Sequence, residues 1–170
     1  MLVVFVGRPG TGKTTLARLA SAELSAAHLR IDAIEAAILR SGLAEPPLGP
    51  AGYAVAHEIA ASSLHAGAHV VVDAVSPVAE ARAAWTARAA RAATPLRVIE
   101  VVVSDVIEHR RRVETRKSDV EGLVVPTWAQ VTALEYEPWD TVRDGPRLLV
   151  HNDGPPDEAM REVLSYLAET

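Results

Sequence analysis

Eight consecutive residues, Gly7-Arg8-Pro9-Gly10-Thr11-Gly12-Lys13-Thr14, carry the most specific chemistry in the chain. They match G-x-x-x-x-G-K-[ST] in full, the pattern of a loop whose inward-pointing backbone N–H groups cradle phosphate oxygens. Gly10 and Gly12 are expected to take positive φ and to let the backbone come close. Lys13 then reaches the β- and γ-phosphates and the Thr14 hydroxyl ligates Mg²⁺. Thr15 follows in the first turn of a helix whose N-terminal partial charge favours anions. With glycine near 7% of residues, a chance match in a chain of this size is of order 1%. Of seventeen cations only Lys13 and Lys117 are lysines and the rest arginines, so a lysine at this position stands out from the background.

Further candidates lie downstream. Asp73 closes the apolar run Val70-Val71-Val72, and an aspartate ending such a strand lies beside the phosphate loop and holds Mg²⁺ through water. Arg110, Arg111, Arg112 and Arg116 fall within Val106–Lys117. Arg112 and Arg116 are four apart and so share one helix face, where two guanidinium groups can clamp a transferring phosphoryl group. Asp32 stands between a short strand and a helix and reads as the N-cap. Trp128, Tyr136 and Trp139 could stack on a ring, or could pin a short helix to the body. His65 and His69 flank a turn and suggest no metal site.

The elements needed to position these groups are legible from pattern. Leu2–Val6 is a short apolar run stopped by Gly7, a buried parallel strand. Leu16, Leu19, Ala20 and Leu24 recur at helical spacing from Lys13 to Ser25. His28–Ile31 is a second strand, followed by a helix through Ile34, Ile38 and Leu39. Ser41–Gly52, dense in glycine and proline, is a loop. A helix at Tyr53–Leu64, a strand at His69–Asp73, a helix at Val78–Ala92 and a strand at Leu96–Val103 follow. Val106–Lys117 is helical, and Ser118–Pro146 irregular except for a short helix at Trp128–Leu134. A last strand covers Arg147–His151 and a last helix Asp157–Leu167. Strict alternation implies right-handed crossovers and a five-stranded parallel sheet covered on both faces.

Composition limits the rest. The chain has 170 residues, 49% hydrophobic and 23% charged, so one globular domain is expected, with a mobile lid at about 106–146. There is no cysteine, which excludes disulfides, thiolate metal sites and cysteine catalysis. The formal charge of −5 argues against a non-specific nucleic-acid binder. No segment approaches the 18 or so apolar residues of a membrane span. Without a charged leader before Leu2, the expectation is a cytoplasmic protein, monomer or homodimer.

What uses the loop is decided by absences. A GTPase needs Asp-x-x-Gly after this strand and Asn-Lys-x-Asp for guanine; the chain reads Asp73-Ala74-Val75-Ser76 and has no Asn-Lys-x-Asp. An oligomeric ATPase motor usually carries Asp-Glu at that point and a separate helical lid domain. The layout of nucleotide and small-molecule kinases remains. Gly7–Thr14, Ile31-Asp32, Val70–Ala74 and Arg112-Val113-Glu114-Thr115-Arg116, in that order and spacing, resemble the small P-loop kinase family of zeta-toxin-like or AAA_33 ATP-binding proteins. Its relatives include polynucleotide 5′-kinases, gluconate kinases, adenylylsulfate kinases and chloramphenicol phosphotransferases.

The resemblance implies an α/β P-loop NTPase three-layer sandwich with strand order 2-3-1-4-5, an arginine-bearing lid, ATP·Mg²⁺ as donor and a hydroxyl as acceptor. It implies that Asp32 faces that hydroxyl and takes its proton. It also implies that His151-Asn152-Asp153-Gly154 lines the adenine, with Arg110 stacked on the ring. Polynucleotide-kinase-like members often read Asp-x-x-Arg where this chain reads Asp32-Ala33-Ile34-Glu35. Glu35, with His57 and Glu58 on the next helix near the acceptor entrance, forms an acidic wall in this reading. A neutral or cationic small molecule is then the expected acceptor. A nucleotide or nucleic-acid 5′-end kinase and a non-catalytic ATP-binding regulatory module are the alternatives.

Overall fold

The computed structural model describes residues 1–169. Its strands are β1 (Leu2–Val6), β2 (Ala27–Arg30), β3 (Val70–Asp73), β4 (Leu96–Val102) and β5 (Leu148–His151). Its helices are α1 (Lys13–Glu23), α2 (Ile31–Arg40), α3 (Ala51–His65), α4 (Ala79–Arg91), α5 (Val106–Thr115), α6 (Trp128–Ala133), α7 (Thr141–Asp144) and α8 (Pro156–Ala168). The five strands form one sheet of order β2-β3-β1-β4-β5. Every pair is parallel.

The alternation of side chains along β1 explains the layering. Leu2, Val4 and Val6 join Ala56 and Ala60 of α3 and Trp85 and Ala89 of α4 in one core. Val3 and Phe5 face the other way, onto Leu16, Ala17 and Ala20 of α1 and Met160, Val163 and Leu167 of α8. A strand buried on both faces reads as an unbroken apolar run, which is how β1 and β3 were recognisable. The chain leaves β1 through α1 to β2 at one edge of the sheet and leaves β4 through α5 toward β5 at the other, so connections run in opposite directions on either side of the centre. The crevice at the C-terminal strand ends is where such sheets bind ligands.

Three local expectations are corrected. Asp32 is not the N-cap of α2: Arg30, in extended backbone, holds that position without a side-chain cap. Ile31 is already helical and buried, and Asp32 lies in the first turn, where its charge favours the helix dipole. The helix α5 stops at Thr115, and Arg116 takes extended φ and ψ of −62° and 131°. Arg112 and Arg116 therefore do not share a helix face. The short helix α7 lies inside the stretch read as irregular.

The stretch from Trp128 to Gly145 is fastened to the body. Trp139 packs against the α3–α4 core and donates its indole N–H to the Gly145 carbonyl at 2.9 Å. Arg82 of α4 pairs with Asp144 at 2.7 Å, both side chains only 1% exposed. Arg82 also donates to the carbonyls of Ser76, Pro77 and Glu137. Of the two readings of its aromatics, the pinning one describes Trp139.

Candidate active site

The loop between β1 and α1 turns on Gly10 (φ 86°) and Gly12 (φ 88°), conformations open to glycine at little strain. Both are also crowded: a Cβ on Gly10 would run into Val113 of α5, and one on Gly12 into Asn152. The loop is held from three sides. Thr11 donates its hydroxyl to Arg8 O at 3.0 Å. Asn152, buried after β5, donates Nδ2–H to Thr11 O at 2.8 Å. Nε2–H of His109, on α5, donates to Pro9 O at 2.8 Å, because a carbonyl can only accept. The Arg8 side chain leaves the loop and donates to Val131 O (2.7 Å) and Leu134 O (3.0 Å), the free carbonyls at the end of α6.

Lys13, 5% exposed, makes no ion pair or side-chain hydrogen bond among the described residues. It lines a cavity of about 440 Å³ with Gly10, Gly12, Thr14, Thr15 and Arg18 on one side and Arg112, Thr115 and Arg116 on the other. The arginines therefore meet over the loop although one lies beyond the helix. Arg112 is steered by Glu108 Oε1 (2.7 Å) and Asn152 O (2.8 Å). Hydrogen bonds from Arg111 and then Arg112 hold the Glu108 carboxyl down at about 2. Arg110 stands away from this cavity, exposed and bonded to Glu114 Oε1 at 2.8 Å. Asn152 acts on the loop through Nδ2, and its Oδ1 is buried with no hydrogen-bond partner.

Asp73 ends β3, 3% exposed, and its Oδ2 is buried without a hydrogen-bond partner. Register sets Asp73 beside Phe5, two residues before the loop begins, and a carboxylate oxygen buried there without a partner suits a hard cation, so the residue types fit Mg²⁺, which Thr14 and Asp73 would hold. Among the described residues no group of three or more His, Asp or Glu is placed to hold a metal. An ion here would take its other ligands from nucleotide and water. Register places Arg30 opposite Asp73, a juxtaposition that the sequence reading did not single out. Its signal was a charged residue closing a short strand, which means nothing until the neighbouring strand is known.

Asp32 lies 3.7 Å from Arg30 Nη2 and 3.9 Å from Arg116 Nη2, about one-third exposed. Glu35 is packed against Gly52 of α3, and burial, then the Asp32 charge, push its carboxyl above the usual range. Tyr53 accepts the Ser76 N–H at 2.9 Å and is shifted up by burial. His57 and Glu58 do not stand at an acceptor entrance. His57 lies on Trp85 of α4 at 3.8 Å, where burial lowers its pKa, and Glu58 pairs with Arg88 at 3.2 Å. The side chains of α3 at those positions point to α4, so the expected acidic wall is not formed. Trp128 meets His109 edge-on at 5.2 Å. Tyr136 donates to Glu100 Oε1 at 2.9 Å. Tyr136 and Trp139 line a separate cavity of about 390 Å³ with Glu100 and Arg147.

Solved structures share this architecture. A sugar kinase from Janibacter sp. aligns with TM-score 0.71 at 16% identity, covering 98% of this chain and 93% of its own. Kti12 from Chaetomium thermophilum, in complex with ADP-AlF3, aligns with TM-score 0.71 at 21% identity, covering 99% and 100%. The APS kinase CysC of Mycobacterium tuberculosis, in complex with AMPPNP and APS, aligns with TM-score 0.66 at 24% identity, covering 99% and 97%. At such identities the likeness is one of fold, that of P-loop kinases. A comparison with curated proteins gives no match. The family model AAA_33, described as an AAA domain, matches residues 2–133, well over half of the chain, and the protein belongs to that family.

Proposed function

We propose that the protein is a P-loop kinase that moves the γ-phosphate of ATP to a hydroxyl of a small molecule. One observation carries the reading: Lys13 and Thr14 share a cavity with Arg112 and Arg116, and Arg116 lies 3.9 Å from the Asp32 carboxylate. Donor-side and acceptor-side groups are thereby in reach of one another. In this reading the loop N–H groups and Lys13 hold the β- and γ-phosphates. Thr14 and Asp73 would hold Mg²⁺, which supplies charge neutralisation on the phosphate oxygens when bound.

Asp32 accepts a hydrogen bond from the acceptor hydroxyl and takes its proton as the new O–P bond forms. The bond from the γ-phosphorus to the β–γ bridging oxygen breaks, and ADP leaves with that electron pair. Arg112 and Arg116 meet the charge that spreads over the transferring group, where donors fixed in advance are worth most. Arg30 and Arg116, 3.7 and 3.9 Å away, flank the Asp32 carboxylate and orient it. With Arg30 and Arg116 facing Asp32, the Glu35 carboxyl pushed up by burial and Glu58 turned away, no acidic wall remains, and the proposed acceptor is a neutral hydroxylated small molecule. The mobile part of the lid is proposed to run from the end of α5 to about residue 125, since Trp128–Gly145 is pinned. No helix among the described residues is long and apolar enough to cross a membrane; a cytoplasmic setting, where ATP is abundant, fits the reading.

The test is transfer of label from γ-labelled ATP to a library of small alcohols, run beside RNA with 5′-hydroxyl ends. Label on a small alcohol that is lost in Asp32→Asn supports the reading. Label on RNA alone would move the protein to the nucleic-acid kinases. ATP binding with no transfer to any acceptor, together with a stable complex with another protein, would make it a regulatory module.

A further inference from the structure

Beside Lys13, Arg30 is a second confined cation near the loop. It closes the edge strand β2, is 7% exposed, and faces three carboxylates from three parts of the chain. Its Nη1 donates to Asp119 Oδ1 at 2.7 Å. Its Nε lies 3.7 Å from Asp73 Oδ2, and its Nη2 lies 3.7 Å from Asp32 Oδ2. Those two separations are too long for hydrogen bonds. Nε, Nη2 and Asp73 Oδ2 are all buried without partners. Arg30 is thus bonded to Asp119 and acts on Asp73 through charge alone, in a place where water screens poorly.

That placement matters for a cation. On the protein side the metal position offers one neutral hydroxyl, Thr14, and one carboxylate, Asp73, whose charge Arg30 offsets. In the adjoining cavity Lys13, Arg18, Arg112, Arg116 and Lys117 outnumber one carboxylate, Asp119, which is itself bonded to Arg30. A free divalent ion meets a site with no net attraction for it. A metal–nucleotide chelate brings its own oxygen ligands and net negative charge, which those cations favour.

Resting on the assignment of Asp73 to the metal, we propose that Arg30 is a specificity-determining residue of the metal site: it makes the protein reject the free divalent ion and accept it only as the nucleotide chelate. Arg30 does not touch the metal or the reacting atoms. Its effect comes from a fixed charge beside the ligand, and Asp119 keeps it in place.

The test uses Mn²⁺ alone as probe, followed by its EPR signal in titrations of the full chain without nucleotide. The wild type is expected to bind Mn²⁺ only weakly, at millimolar concentrations. Arg30→Gln should tighten that binding about tenfold or more, Arg30→Lys should leave it weak, and Arg30→Gln with Asp73→Asn should lose the gain. A role confined to the Asp119 ion pair predicts instead that Asp119→Asn mimics Arg30→Gln; the proposal expects no tightening in Asp119→Asn, because the amide oxygen still accepts from Nη1 and keeps Arg30 beside Asp73. Micromolar binding of Mn²⁺ by the wild type overturns the proposal without any variant, which covers the case in which Arg30→Gln does not fold. Unchanged Mn²⁺ affinity in folded Arg30→Gln overturns it too. Titration of Asp73→Asn with Mn²⁺·ATP separates the two levels. If that variant binds the chelate more weakly while Arg30→Gln gains nothing, only the Arg30 inference fails. If it binds the chelate like the wild type, the metal assignment falls and the inference falls with it.

Discussion

Replacing Lys13 by alanine should separate nucleotide binding from folding, and the structure fixes the size of each effect. Lys13 is buried but unpaired among the described residues, and it lines the cavity over the loop. Truncation removes methylene packing along the stem and also removes the desolvation of an ammonium. These oppose one another, and the net change without ligand should stay within about 1 kcal/mol. Nucleotide binding behaves differently. A ligand present at 100 times its Kd stabilises the native state by about 2.7 kcal/mol. For a chain of this length each kcal/mol moves Tm by about 2–4 °C, so ATP·Mg²⁺ should raise the wild-type Tm by about 5–10 °C. In Lys13→Ala that rise should vanish while the unliganded Tm moves by no more than about 4 °C. Thermal scans with and without ATP·Mg²⁺ measure both quantities and need no acceptor. A variant that keeps the full ATP-induced rise would refute the assignment of the loop to nucleotide phosphates.

Other outcomes follow from the same geometry. Arg116→Ala should lower turnover about 10³-fold with a much smaller loss of ATP affinity, because a group that meets charge in the transition state contributes little to the ground state; steady-state kinetics beside calorimetry decide it. Asp32→Asn should keep ATP·Mg²⁺ bound and slow transfer by about 10²–10⁴-fold, and its helix should lose only about 0.5 kcal/mol of first-turn charge stabilisation. Glu35→Gln should be more stable than the wild type at neutral pH, with no gain below the ordinary glutamate value of 4.5. A carboxyl raised on folding holds its proton longer in the native state, so wild-type stability falls as pH rises through that window; urea melts at pH 4 and pH 7 show the sign. Arg82→Met should destabilise by about 3 kcal/mol, since it leaves Asp144 buried with only Arg143 beside it, and hydrogen exchange should rise across residues 136–145.

Much of the fold could be read because the informative strands are short, branched and buried on both faces. Phe5 and Val72 announce β1 and β3, and Asp73 is conspicuous as the first charge after such a run. Strand β2 is different. Its residues Ala27-His28-Leu29-Arg30 form an edge, so Ile31 looked like the strand's end and Asp32 like a cap. The true boundary lies one residue earlier, set by the extended backbone of Arg30. The end of α5 carries no glycine or proline; the chain leaves the helix at Arg116, whose guanidinium lies near Asp32, and Asp119 bonds Arg30. Those are long-range pairs that helical periodicity cannot contain. The same holds for Arg82 and Asp144, 62 residues apart, whose pairing turns a stretch that looks like loose lid into part of the body.

The packing of α5 on the phosphate loop has a mechanical consequence. His109 holds Pro9, Val113 fills the space over Gly10, and Arg112 leans on the carbonyl of the same Asn152 that braces Thr11. The helix α5 and the loop Gly7–Thr14 are thus braced against each other, and under the proposed function they are expected to respond together. The tether after Thr115, which reaches α2 through Arg116 and Asp32, is then the expected place of opening for nucleotide release. Stiffening that tether should slow exchange of product for fresh ATP while leaving the grip on the phosphates untouched.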